Sequence, residues 1–163
     1  MVDAAIRYAK TPGWLLVPVF AWNLALASRL PDRYLPGTFD AGIPAALAVP
    51  ETVLRIFVFG LPFLAPFELR SARQRRGLAI YLVGIGLYFA GWLALVVAPD
   101  SAWSRSAPGF LAPAYTPAVW LFGLALLMQR LHWPASYRWW FYPVLCGAFL
   151  TAHVGHATLV LLR

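Results

Sequence analysis

The sequence predicts an all-α, polytopic membrane protein: a compact bundle of five transmembrane helices, N-terminus cytoplasmic and C-terminus outside. Three observations predict it. The 163 residues are 61% hydrophobic and only 12% charged, with mean hydropathy +0.69. A soluble domain of this size needs polar groups over most of its surface, and lipid as the solvent removes that need. Apolar runs long enough to cross a bilayer alternate with segments rich in proline and arginine. The basic residues concentrate on every second connection, as orientation in a membrane requires.

The chain reads as a single transmembrane domain over residues 1–163. Residues 1–10, MVDAAIRYAK, set Val2, Ala5, Ile6 and Ala9 on one helical side, which predicts a short interfacial helix. Thr11-Pro12 reads as a cap followed by a first-turn proline. The first span is expected over about 14–30. Pro18 should kink it. Pro18, Ala21, Ala25 and Ser28 form a small-residue stripe suited to helix contact. Asn23 falls near mid-membrane, where an amide needs a partner. Arg7, Lys10 and Ala25-Leu26-Ala27 imitate a secretory signal, but Pro18, Trp22 and Asn23 interrupt its core, so a retained span is expected.

Residues 31–50 hold four prolines and two glycines and predict a long outer loop. Pro50-Glu51 should open the second span, about 51–69. Glu51 in its first turn would complement the helix dipole and pair with Arg55 one turn on. Pro62 and Pro66 should break the inner half of this span. Residues 68–76, ELRSARQRR, read as a cytoplasmic anchor for anionic headgroups. The third span, about 78–98, carries a stripe of Gly77, Tyr81, Gly84, Tyr88 and Gly91. Its glycines admit a neighbouring backbone, and Tyr81 and Tyr88 would line either the contact or a ligand slot.

Residues 99–116 are expected as a second outer loop, with Thr116-Pro117 as another cap and first-turn proline. The fourth span follows over about 113–132, closed by Trp133-Pro134. The fifth, about 137–162, opens in an aromatic belt of Tyr137, Trp139 and Trp140. It bears a small-residue seam at Gly147, Thr151 and Gly155, and a second face of Tyr142, Cys146, Phe149, His153, His156 and Val160. Placing residues 1–13, 69–77 and 130–138 on one side gives that side eight of the thirteen basic residues, so it is cytoplasmic. The setting expected is a bacterial inner membrane.

Composition also excludes. The single cysteine, Cys146, rules out an intramolecular disulfide and thiolate clusters. Walker, GxSxG and HExxH motifs are absent. The net charge of +7 lies between apolar runs and reads as topology, not as a nucleic-acid surface. None of the six acids is expected at mid-membrane, which weighs against an ordinary proton-coupled carrier.

The chemistry-bearing pair is His153 and His156, three residues apart and so on one helical face. They are expected near Asn23, Glu51 and Arg55 in an outward-facing vestibule. The first expected function is binding or transport of a small amphipathic or apolar molecule, with His153, His156, Asn23, Arg55, Tyr81 and Tyr88 as ligand contacts. The second is a metal-dependent membrane enzyme in which His153, His156 and Glu51 hold zinc or iron, with Asp32, Asp40 and Asp100 as further carboxylates within reach. Haem is weaker, because His132 sits at the wrong depth to pair with His153. The third is an accessory subunit, packed in the bilayer against copies of itself or a partner membrane protein.

Overall fold

The computed structural model describes residues 10–132 and 137–163. The interfacial helix expected over 1–10 therefore lies, apart from Lys10, outside the described residues, as does Trp133-Pro134. Every regular element among the described residues is helical.

Four helices are long and apolar enough to cross a membrane: Ala45–Leu64, Ala72–Val97, Ala107–Leu127 and Phe141–Leu161. The first expected span is a different object. It joins a 3-10 turn (Pro12–Leu16), helix α1 (Val17–Leu26) and a second 3-10 turn (Ala27–Arg29). Pro18 removes a backbone donor where the tight turn gives way to α-helix. The small-residue stripe of this run is unpacked, with Pro18, Ala21, Ala25 and Ser28 all exposed.

After a short helix α2 (Pro36–Phe39) comes α3 (Ala45–Gly60), continued by a 3-10 turn Leu61–Leu64. The second span is thus 45–64, not 51–69. Pro44 caps it, Pro50 is absorbed inside it, and Pro62 tightens its end. Glu51 consequently leaves the first turn. It lies about 9 Å down the helix axis from Ala45 and is only 2% exposed.

Helix α4 (Ala72–Val97) begins inside the basic segment, because Ser71 and Gln74 form a reciprocal capping box. The supposed loop 99–116 is mostly helical: α5 (Ala102–Arg105) and α6 (Ala107–Tyr115). Helix α7 (Pro117–Leu127) follows directly, so the fourth span is 107–127. Thr116 has helical backbone angles and bonds back to the Ala112 carbonyl, so it is a joint in this span, not a cap. Helix α8 (Phe141–Leu161) is the last.

The tightest contact is between α4 and α7. A methyl added to Gly84 would run into the backbone of Trp120, and one on Gly123 into that of Tyr81. These glycines let two backbones approach as no other residue could. Outward, the helices stay apolar: Leu24 is 80% exposed, Ile56 66% and Val97 72%. Lipid is the medium such faces fit.

The two ends are distinct. At one, the Phe67 amide donates to the Lys10 carbonyl, the His132 amide donates to the Leu64 carbonyl, and Arg130 pairs with Glu68. At the other, the Tyr34 hydroxyl donates to the Phe110 carbonyl at 2.7 Å. Burial holds that hydroxyl well above its ordinary pKa, more than neighbouring Arg33 lowers it, so it stays a neutral donor.

Candidate ligand cavity

Proline leaves carbonyls without donors, and two tyrosines answer them. Pro62 cannot donate to the Val58 carbonyl, and the buried Tyr142 hydroxyl does so instead, at 2.9 Å. Pro18 cannot donate to Leu15 within its 3-10 turn, and Tyr81 takes that carbonyl. The Tyr81 hydroxyl is thus engaged by backbone, and Tyr81 does not line the cavity described below. Tyr88 donates to Asn23 Oδ1 at 2.7 Å, which ties α4 to α1 and gives the mid-run amide its partner.

Helices α3 and α8 pack with the start of one beside the end of the other. His153 and His156 lie about 12 and 8 Å from Leu161, close to the depth of Glu51 in α3. The spacing of three turns both rings toward the same carboxylate. His153 Nδ1 lies 2.9 Å from Glu51 Oε1, and His156 Nδ1 lies 2.7 Å from Oε2. Arg55 Nη2 also donates to Oε1. His156 Nε2 lies 3.2 Å from the Phe39 carbonyl, contributed by α2. Asp40 reaches to 3.7 Å of the same nitrogen from the exposed side. Rings fix the imidazoles: His153 stacks on Phe149 at 5.3 Å and His156 on Phe39 at 4.6 Å.

Beside this cluster is a cavity of about 460 Å³, within the range of small-molecule sites. Asn23, Arg55, Tyr88 and His153 all line it. Its walls are aromatic: Phe20, Phe59, Trp92, Phe110, Trp120 and Phe149. Among the described residues no aspartate or glutamate lines it. Glu51 and His156 stand behind His153 and Arg55. The structure thus gathers five of the sequence-selected residues, Asn23, Arg55, Tyr88, His153 and His156, together with Glu51, and leaves Tyr81 apart.

Glu51, His153 and His156 are the trio expected to hold zinc or iron. Here each Nδ1 faces a separate carboxylate oxygen at hydrogen-bonding distance. Among the described residues no group of three or more His, Cys, Asp or Glu side chains is arranged to hold a metal ion. The aromatic walls and the Phe39 carbonyl escaped sequence reasoning. A proline four residues after Val58 did mark a carbonyl in need of a donor, but nothing in the sequence named Tyr142 as that donor.

No family model, curated protein or solved structure matches the chain.

Proposed function

We propose that this chain crosses a membrane five times and binds or carries a small amphipathic or apolar molecule in the cavity between α1, α3, α4 and α8. The run Pro12–Arg29 is the first crossing in this reading. The arginine-rich end faces the cytoplasm, as in a bacterial inner membrane, and the C-terminus faces out.

One observation carries the reading. A cavity of about 460 Å³ is walled by aromatic rings and bordered by a hydrogen-bonded ionic cluster. Ionisable groups inside membrane-spanning helices are costly and are kept where they serve a pathway or a ligand. Apolar walls supply affinity, and a few convergent polar groups supply orientation.

Thermal unfolding in a neutral detergent tests it, against single-chain amphiphiles that differ in head group. At least one should raise Tm, and the same compound should leave the double variant His153→Ala, His156→Ala unmoved while circular dichroism shows that variant still helical. No shift from any amphiphile, or an equal shift in the double variant, removes the reading.

A further inference from the structure

We infer that the molecule taken by this cavity bears an anionic head group, a carboxylate or a phosphate, seated on Arg55 with the Asn23 amide as a second donor. The inference rests on the cavity being a ligand site, and it follows from the polar groups that line it.

The Glu51 carboxylate is engaged by His153, His156 and Arg55 and does not line the cavity.

The Arg55 guanidinium is always charged. Nη2 is bonded to Glu51, and the side chain is 44% exposed, so part of its donor fork stays open. Among the described residues Arg55 is the one Asp, Glu, Lys or Arg that lines the cavity, and it lies about 15 Å along its helix from Ala45. An anion seated on the open part of the fork brings the opposite charge that the cavity lining lacks. The planar fork of a guanidinium suits two-point contact with carboxylate or phosphate oxygens. Asn23 Oδ1 accepts from Tyr88, which leaves the Asn23 NH₂ group as a donor in the same cavity. The apolar remainder of the ligand then lies along the rings.

The test uses four twelve-carbon probes on the full chain in neutral detergent: dodecanoate, dodecyl phosphate, dodecanol and dodecyltrimethylammonium. Both anions, or one of them, should raise Tm, and the alcohol and the cation should not. Arg55→Gln should weaken anion binding by about tenfold to a hundredfold, since a charged hydrogen bond is lost. Should that variant fail to fold, Asn23→Asp leaves Arg55 and Glu51 in place, sets a negative charge in the cavity, and should weaken anions by at least about tenfold. Equal shifts from dodecanol, or a shift from the cation alone, overturn the anionic class and leave the cavity reading standing. Undiminished anion binding in Asn23→Asp also overturns the class. No shift from any of the four overturns both. Nanodiscs separate the source of the anion. A Tm gain on replacing phosphatidylcholine by phosphatidylglycerol assigns a bilayer lipid, and gains confined to the added probes assign a free amphiphile.

Discussion

Glu51 is a carboxylate with three side chains aimed at it and almost no exposure to solvent, and it sets the energetics of its surroundings. Deleting it strands the buried His156 and unpairs the half-buried His153 and the more exposed Arg55. Breaking a buried ionic arrangement from one side costs about 3–5 kcal/mol. Glu51→Leu should therefore lower stability by that order. His153→Phe keeps a ring on Phe149 and loses one bond, about 0.5–1.5 kcal/mol. Denaturant unfolding of the two variants in detergent checks this, and equal losses would mean that the cluster is not centred on Glu51. At this scale much was legible. The Glu51–Arg55 spacing of four and the His153–His156 spacing of three each fix a shared face by helix geometry alone. Phe39 was not legible, because a single helical turn has no periodicity that aims its carbonyl at a ring more than a hundred positions later.

Two glycine stripes looked alike in the sequence and behave differently as parts of helices. Gly77, Gly84 and Gly91 face α7 and α6 at close range, whereas Gly147 meets nothing within 4 Å and Gly155 only the tip of Leu47. Among the described residues the expected seam at Gly147, Thr151 and Gly155 is therefore not a close contact. Spacing reports a face, and it cannot report what lies opposite. Gly84→Ala should push α4 and α7 apart and destabilise by about 1–3 kcal/mol. Gly147→Ala adds a methyl to open space in a helix, and should be neutral or stabilising by up to about 1 kcal/mol. Unfolding midpoints of the two variants decide it, and similar values would deny the tight packing of α4 on α7. Helix bounds were less legible than helix existence. The α3 start moved six residues upstream because Pro50 is tolerated in a second turn, and the α4 start moved because the Ser71–Gln74 box outweighs the charge of its first turn.

Over the whole molecule the described connections sort to two ends, with Lys10, Glu68 and Arg130 at one and Tyr34, Phe39 and Phe110 at the other. Five crossings follow if Pro12–Arg29 traverses the bilayer. In a Cys146→Ser background, Gly37→Cys should react with a membrane-impermeant maleimide on intact cells, and Lys10→Cys, on the other side of the first run, only after permeabilisation. Reaction of both from the same side would reduce the crossings to four and place the first run on the surface.

The sequence by itself determined the apolar character of the long helices, the helical class, the ends on which charge collects, and the local pairs that helix pitch sets. These are properties of composition and of spacings within one helix, so they need no knowledge of neighbours. Only the tertiary structure decided that Glu51 lies in the second turn of its span, that Tyr81 and Tyr142 answer carbonyls released by proline, and that aromatic rings from distant segments enclose one cavity. Each of those depends on which faces of different helices meet, and that is settled by packing and by the satisfaction of buried polar groups, not by any one stretch of chain.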